Sequence, residues 1–285
     1  MPSKFIFRYS SPFLPESLFF RDIITFNTTV TCLRLGRLLE RILIFPVCSI
    51  FSYMQHLNYD SLKVHDATII QNTLRSDILL QPRNFPVNII AGADISFNKF
   101  STTVYAGIIL LSFPELLPIG YSLIKKEVNF PYVPGYLAFR EVPPLMDAWE
   151  NLPQKPDLLV VDGHGIAHPR RMGIAAHFGV LANAPTVGCA KTLLCGQYED
   201  PASTTGSSSP LIFKEEIVGA VLRTKNAVKP VFVSPGHLID VQGAVEIIKQ
   251  CIGRYRIPEP TRLAHNMVNQ FRLGEIPEGY TALTT

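Results

Sequence analysis

The sequence has no long apolar run and little cysteine. A membrane-spanning helix needs roughly 20 consecutive apolar residues. The nearest stretch, 42–53, has only about twelve and is interrupted by Pro46. No two of the five cysteines have the two-residue spacing of a zinc knuckle, and an odd number of thiols is typical of a reducing cytosol. We therefore expect a cytoplasmic protein with no membrane partner and no structural zinc.

The chain also lacks a charge excess outside its first 53 residues. Its formal net charge is +3. Residues 1–53 hold six basic and three acidic side chains, which leaves 20 of each sign in the remainder. Net charge therefore gives no sign of a nucleic-acid partner, and any basic surface must be local.

Residues 1–53 differ from the rest of the chain. They are rich in Phe, Leu, Ile and Ser and show no sustained period of 2 or 3.6 residues. We interpret them as an atypical N-terminal extension that results from a wrong start, with Met54 as the natural first residue. The alternative is a genuine extension that packs on the protein. Residues 54–285 are predicted to form a single domain.

The remaining sequence predicts an α/β fold. Short apolar runs bounded by turn residues predict strands, and apolar residues at helical spacing predict helices. The predicted strands are 87–97, 102–113, 119–128, 158–161, 186–190, 217–223 and 231–233. The predicted helices are 65–80, 171–184 and three that begin near 136, 240 and 261, and residues 199–210 are predicted to form a polar loop. Three consecutive strands followed by alternating elements favour a mixed central sheet with helices on both faces.

Two local details belong to this prediction. Asp240 is expected to cap the helix that follows it. Pro143 and Pro144 are expected to kink or interrupt the helix that begins near residue 136.

The strand 158–161 ends in Asp162, which is followed by Gly163 and Gly165. Carboxyl ends of central strands are where α/β sheets place their chemistry. Asp94 lies within the first strand, and the two carboxylates converge if these strands are neighbours. Clustered carboxylates repel one another unless a cation lies between them, and oxygen ligands favour Mg²⁺ or Mn²⁺. Glu141 is a third candidate ligand, although a lone helix acid is more often a surface residue.

Lys191 and His265 complete a candidate catalytic set. Each alone is most often a surface residue. Together with a carboxylate cluster, a Lys and a His describe metal-assisted phosphodiester hydrolysis, in which the His orients or deprotonates water and the Lys balances charge on the transition state. His168 and Arg170 lie in a loop whose arginines are expected to face phosphate groups.

Six segments of the sequence resemble the endonuclease V family, in the family's order and spacing. They cover roughly residues 66–272, and six motifs together are far more specific than one short pattern. The segments are IAGADISF (90–97), FPYVPGYLAFRE (130–141), DGHGIAHPRRMGIAAHFGV (162–180), TVGCAKT (186–192), VSPGH (233–237) and IPEPTRLAH (257–265). The chain departs from the family pattern at Val142, where a glycine usually follows the catalytic Glu.

The resemblance implies a ribonuclease H-like fold and a monomeric enzyme. It implies an endonuclease that nicks DNA at deoxyinosine, the product of adenine deamination. The cut is at the second phosphodiester bond on the 3′ side and leaves 3′-hydroxyl and 5′-phosphate ends. Such an enzyme acts in DNA repair.

The resemblance also assigns roles to individual residues, with Mg²⁺ as cofactor and Mn²⁺ as a substitute. The expected metal ligands are Asp94, Glu141 and Asp162, and the expected catalytic partners are His265 and Lys191. The expected substrate contacts are Pro131, Tyr132 and Gly135 of a strand-separating wedge, Gly92, Gly163 and Gly165 beside the flipped base, and His168 and Arg170.

Two alternatives to a DNA repair enzyme stay open at this point. One keeps the same chemistry but acts on inosine-containing RNA. The other is a protein that binds deaminated bases without cutting. We favour DNA because the DGHG sequence is typical of bacterial members. We favour cleavage because a binder gains nothing from a buried acidic cluster that faces phosphate.

Overall fold

A computed structural model of the chain describes residues 59–99 and 101–283. These residues belong to one compact unit, Ile50–Thr285. The predicted extension, 1–53, lies outside the described residues, so the expectation about it stays a prediction. Within the described part, no helix is both long and apolar enough to cross a membrane.

A single nine-stranded mixed sheet forms the centre of the described unit. In chain order its strands are β1 (Ile89–Phe97), β2 (Thr103–Ser112), β3 (Pro118–Glu127), β4 (Leu158–Val161), β5 (Thr186–Ala190), β6 (Ser208–Phe213), β7 (Glu216–Leu222), β8 (Val231–His237) and β9 (Gly279–Ala282). Their order across the sheet is β6-β7-β8-β5-β4-β1-β2-β3-β9. The pairs β1–β4 and β4–β5 are parallel, and the other neighbours are antiparallel.

Helices cover both faces of this sheet, as predicted. They are α1 (Val64–Arg75), α2 (Ala138–Glu150), α3 (Ile174–Ala182), α4 (Val241–Gln250) and α5 (Glu259–Arg272), and a short 3-10 helix, Tyr59–Ser61, precedes them. The apolar sides of α1, α2 and α3 share one buried core with one face of the strands. Those of α4 and α5 share a second core with the opposite face. Helices lie on both faces because each face of the sheet buries an apolar layer that must be covered.

Strands β4 and β5 agree with the sequence prediction residue for residue. Asp240 also caps α4 as expected, since its Oδ1 accepts a hydrogen bond from the backbone nitrogen of Gly243 at 2.7 Å. The predicted polar loop 199–210 is wrong at its end, because the edge strand β6 begins at Ser208. The edge strand β9 was not predicted. Both edge strands expose alternate or isolated side chains, so their sequences carry a weak apolar signal.

Pro143 and Pro144 do not interrupt α2, because the helix continues through both. A proline in a helix interior costs about 3 kcal/mol. Burial of a large apolar side chain contributes about 1.5–3 kcal/mol, so the buried face of α2 offsets the two prolines. Its large buried side chains are Phe139, Val142, Leu145 and Trp149. Val142 is fully buried within a regular helix, so the departure from the family pattern at this position does not disturb α2.

Candidate active site

Asp94 and Asp162 meet because β1 and β4 are parallel neighbours. Ala93 pairs with Val161, and the backbone nitrogen of Asp162 donates to the carbonyl of Ala93 at 3.0 Å. Asp94 is 7% exposed, so its carboxylate is almost removed from water. The sequence prediction that the two carboxylates converge is therefore consistent with the sheet register.

Helix α5 brings His265 to the same point. Ligand atoms of Asp94, Asp162 and His265 all lie within 4.8 Å of one another, a grouping that could hold a metal ion. The Nδ1 atom of His265 lies 2.7 Å from Oδ2 of Asp94. These two residues are 171 positions apart in the chain, so the pair depends on how α5 crosses β1.

The other ring nitrogen of His265 faces Asn269, which the sequence prediction missed. Nδ2 of Asn269 lies 3.1 Å from Nε2 of His265. Oδ1 of Asn269 accepts from Oγ of Ser96 at 3.2 Å and from Nη2 of Arg272 at 3.3 Å. Because an arginine can only donate, these contacts orient the amide with its nitrogen toward the imidazole. A spacing of four residues on one helix was the signal for this pair.

Lys191 directly follows β5 and forms an ion pair with Asp162 through Nζ and Oδ2. The side chain of Asp162 is 13% exposed and that of Lys191 is 39% exposed, so the pair lies at the mouth of the site. The carbonyl of Lys191 accepts from Nη2 of Arg256 at 2.7 Å. Arg256 stands directly before the IPEPTRLAH segment, but nothing in its sequence pattern indicated this contact.

Glu141 lies on the first turn of α2 and is partly buried. Desolvation, followed by the charges of Asp94 and Asp162, raises the pKa of Glu141 to about 8. Desolvation and the charge of Asp162 raise the pKa of Asp94 to about 6, although the hydrogen bond from His265 opposes that change. Glu141 is not one of the three residues within 4.8 Å of one another. It does line the same cavity.

A cavity of about 460 Å³ opens beside this cluster. It is lined by the five candidate catalytic residues and by groups from the predicted substrate contacts. The lining includes Asp94, Glu141, Asp162, Lys191 and His265, together with Tyr132, Gly135, Gly163 and His168. The other predicted contacts, Gly92, Pro131, Gly165 and Arg170, are not part of this lining.

Gly92 and Gly165 lie where another segment of backbone approaches closely, and their expected role beside a flipped base stays a prediction. A Cβ atom on Gly92 would lie 1.9 Å from the carbonyl oxygen of Pro260, at the start of α5. A Cβ on Gly165 would lie 2.0 Å from the carbonyl oxygen of Pro235. Gly163 does reach the cavity, but a Cβ there would also lie 2.5 Å from Ile174. At Gly92 and Gly165 the close neighbour is backbone, which cannot move aside, so only glycine fits at these two positions.

The loop that carries Pro131 and Tyr132 is held by side chains behind it. Tyr132 is 61% exposed, and its ring centroid lies 6.5 Å from that of Phe97. Gly135 has a φ of 82°, a left-handed value that favours glycine. Its carbonyl accepts from Nη2 of Arg170 at 2.6 Å and from Nε2 of Gln71 at 3.1 Å.

Arg170 and His168 contact this loop, and their expected role as phosphate contacts stays a prediction. The guanidinium of Arg170 lies 4.0 Å from the ring centroid of Tyr136 and hydrogen-bonds to Gln71. Nδ1 of His168 accepts from the backbone nitrogen of Arg170 at 3.2 Å. Burial, followed by the charge of Arg170, lowers the pKa of His168 to about 4, so its imidazole is neutral near pH 7. Arg171 is paired with Glu216 on another part of the surface.

Comparison with known proteins gives a consistent result. The endonuclease V family model matches residues 72–266. The endonuclease V of Trichormus variabilis is 47% identical over 209 residues, which cover 73% of this chain and 95% of that protein. The crystal structure of endonuclease V from Streptomyces avermitilis aligns with a TM-score of 0.71 at 39% identity, over 74% of this chain and 94% of that one.

A third similar protein was solved with nucleic acid. Endonuclease V of Ciona intestinalis, in complex with a DNA that contains an inosine followed by a ribo-adenosine, aligns with a TM-score of 0.65 at 29% identity. The alignment covers 74% of this chain and 98% of that one. The shared mixed sheet confirms the expected ribonuclease H-like α/β fold.

Proposed function

The chain belongs to the endonuclease V family and is a nuclease, and from this premise we propose that it nicks DNA at deoxyinosine in DNA repair. The cut is at the second phosphodiester bond on the 3′ side of the lesion. The products carry 3′-hydroxyl and 5′-phosphate ends. The observation that carries the proposal is the convergence of Asp94, Asp162 and His265 within 4.8 Å, with Lys191 paired to Asp162.

The acidic cluster fits Mg²⁺, for which Mn²⁺ can substitute. Asp94, Asp162 and Glu141 supply hard oxygen donors, which these ions prefer. Besides burial, the charge of Asp162 raises the pKa of Asp94, and the charges of Asp94 and Asp162 raise the pKa of Glu141; a cation between the carboxylates would remove that repulsion. When bound, such an ion polarises the phosphate and lowers the pKa of a bound water.

The remaining residues of the cluster have separate roles in the proposal. His265 is fixed by Asp94 on one side and Asn269 on the other, and its side chain is 49% exposed. Solvent reaches its ring, but both ring nitrogens are already engaged, so in the proposal His265 fixes the carboxylate of Asp94 that would hold the cation. Lys191 stands at the mouth of the site, where its ammonium balances the charge that develops on the pentacovalent phosphate.

Recognition of the lesion uses the cavity and the wedge loop. A base must leave the helical stack before it can enter the cavity beside Gly163. Tyr132 presents an exposed ring, and its loop is already ordered by Arg170 and Gln71. The ring replaces part of the stacking that the DNA loses when the base is displaced.

One observation favours inosine-containing RNA as a second candidate substrate. The Ciona intestinalis relative was solved with a ribo-adenosine directly after the inosine. A ribose at that position is therefore compatible with a similar fold. A protein that binds deaminated bases without cutting is disfavoured, because the chain is a member of a nuclease family.

A single gel tests the proposal. Matched DNA and RNA oligonucleotides, each with one hypoxanthine, are incubated with the protein with and without Mg²⁺. Oligonucleotides with adenine at the same position serve as controls. We expect one nick, at the second bond on the 3′ side, only with hypoxanthine and Mg²⁺, and faster on DNA. Cutting of adenine controls at the same rate would contradict the lesion specificity, and faster cutting of RNA would establish the alternative.

A further inference from the structure

Tyr255 and two arginines form an exposed group outside the catalytic cluster. Tyr255 is 50% exposed, although it is a large aromatic residue. The guanidinium carbon of Arg262 lies 4.8 Å from its ring centroid, and that of Arg254 lies 6.0 Å away. We call Arg254, Tyr255 and Arg262 the Tyr255 surface. It combines an aromatic ring with two cations, which is the composition of a nucleic-acid contact.

The surface is held in place by its neighbours. Arg262 forms an ion pair with Glu259, to which its Nε also donates at 3.0 Å. Arg256 anchors the same segment, because its guanidinium donates to the carbonyls of Lys229 at 2.9 Å and Pro230 at 2.8 Å. A ring and a guanidinium that are already ordered lose little conformational entropy when a ligand binds.

Positive charge is concentrated around the Tyr255 surface, although basic and acidic side chains are equal in number from residue 54 onward. Residues 249–262 contain four basic side chains, at 249, 254, 256 and 262, and one acidic side chain, Glu259. Among the described residues, Arg254 forms no ion pair, and its guanidinium lies near the ring of Tyr255. A local positive surface of this kind attracts phosphate groups.

The segment that carries the Tyr255 surface is tied to the catalytic cluster through a hydrogen bond and through the chain. Arg256, next to Tyr255 in the chain, donates to the carbonyl of Lys191, whose ammonium is paired with Asp162. The same segment leads into α5, which begins at Glu259 and carries His265. The segment that carries the Tyr255 surface is therefore fixed relative to Lys191 and His265.

We propose that the Tyr255 surface binds the nucleic-acid strand outside the cleavage site, with Arg254 on a phosphate and Tyr255 against a base or sugar. This proposal rests on nucleic acid being the substrate. It makes no use of the lesion, so the surface contributes to the binding of any sequence. Arg262 is a positioning residue that holds the ring.

Binding to lesion-free oligonucleotides tests the proposal. Fluorescence anisotropy is measured in EDTA over a range of salt concentrations, with a labelled single strand and its duplex. The variants are Arg254→Gln and Tyr255→Ala. Lys125→Gln is the matched control, because exposed Lys125 also lies over an aromatic ring, 5.9 Å from the centroid of Tyr105, but on β3. Tyr255→Phe keeps the ring and controls for its removal.

We expect Arg254→Gln to weaken binding and to flatten the plot of log K against log salt concentration by about 0.9 on duplex or about 0.7 on single strands. Tyr255→Ala should raise the Kd by roughly tenfold without changing that slope. Lys125→Gln and Tyr255→Phe should match the wild type. Wild-type affinity and slope in both Arg254→Gln and Tyr255→Ala would overturn the proposal.

The result is independent of whether the protein cuts at hypoxanthine. If the wild type nicks hypoxanthine DNA but both variants bind like the wild type, only the Tyr255 surface is wrong. If the wild type binds lesion-free DNA through this surface but cuts no hypoxanthine substrate, only the proposed specificity is wrong. Melting temperatures of all variants exclude unfolding as the cause of any loss.

Discussion

Nδ2 of Asn269 donates a hydrogen bond to Nε2 of His265, one turn earlier on α5, at 3.1 Å. An acceptor role for Nε2 leaves the ring proton on Nδ1, which faces the carboxylate of Asp94 at 2.7 Å. Asn269 thus selects the tautomer that points a proton at a proposed metal ligand. A partner of this kind, one contact away from the ligand, orients it and tunes its basicity.

We predict that Asn269→Leu slows nicking by roughly 10–100-fold while it leaves the Kd for hypoxanthine DNA within about twofold. The reason is that His265 loses the bond that selects its tautomer, while no group that contacts the strand is removed. Single-turnover nicking and anisotropy measure the two effects separately. The ¹⁵N shifts of the His265 ring should change from one tautomer to a mixture.

Gln270→Leu is the matched control, because Gln270 is exposed and lies one residue further along α5. It should nick at the wild-type rate. An Asn269→Leu protein that nicks at the wild-type rate, or that keeps the imidazole signals of the wild type, would show that Asn269 has no part in positioning His265.

The raised pKa of Glu141 predicts that the stability of the metal-free protein depends on pH. Burial and the neighbouring carboxylates raise its pKa from 4.5 to about 8. Between these values the folded protein holds a proton that the unfolded chain has lost, so the free energy of unfolding falls as pH rises. We expect a loss on the order of 1–2 kcal/mol between about pH 6.5 and 8, absent in Glu141→Gln. Thermal unfolding in EDTA at several pH values measures it.

Buried histidines have the opposite effect but in a lower pH range. Burial lowers the pKa values of His164, His168 and His237 to about 4 and that of His177 to about 3. Below about pH 6.5 these histidines bind protons in the unfolded chain more readily than in the folded protein. They therefore make the free energy of unfolding rise with pH only up to that value. An equal fall in stability above pH 6.5 in wild type and Glu141→Gln would assign the effect to another group.

Metal dependence is the third prediction. Asp162→Ala removes a carboxylate that would hold the cation, so we expect cleavage to fall by orders of magnitude while lesion binding persists. Ca²⁺ is larger and less strict in its geometry than Mg²⁺, so it should support binding with little cutting. Asp147→Ala is the control, because that acid pairs with Lys126 at the surface. Nicking in EDTA, or at wild-type rate by Asp162→Ala, contradicts the mechanism.

Tyr132 should contribute more to the affinity for duplex DNA than to the affinity for single strands. Its ring is 61% exposed, so Tyr132→Ala costs the fold little. On duplex DNA it removes the face that replaces lost stacking, worth roughly 1–3 kcal/mol. Single strands lose less stacking and should bind almost as before. The test compares the affinities of Tyr132→Ala and Tyr132→Phe for duplex and for single-stranded DNA. Equal losses of affinity on the two forms would contradict the wedge role of Tyr132.

The domain proposal predicts that a protein beginning at Met54 is active. Each helix and strand described here lies at or after Tyr59, as do all proposed catalytic residues. We expect the shorter protein to match the full chain in nicking rate and melting temperature, with higher solubility because it lacks the apolar stretch 42–53. A shorter protein that is insoluble or clearly less stable would show that residues 1–53 belong to the domain.

Local pattern was sufficient for part of the fold. The run Leu158–Val161 is apolar, ends in an acid and is followed by glycine, so β4 and the position of Asp162 could be predicted to the residue. Strand β5 was predicted equally well, for the same reason. The full set of catalytic candidates followed from the resemblance of six motifs to the endonuclease V family, and each motif is contiguous in the chain.

Only the tertiary structure decided what these residues contact. Asn269 is tied to His265, and Gly92 to Pro260, by the way α5 crosses β1, which no period of 2 or 3.6 residues encodes. Arg170 supports the wedge loop because α1 supplies Gln71 from 99 positions away. The pKa of Glu141, which lies on α2, depends on burial and on the carboxylates of Asp94 and Asp162 from the sheet. Periodicity determines which face of an element is buried, whereas contacts, desolvation and charge coupling depend on which elements that face meets.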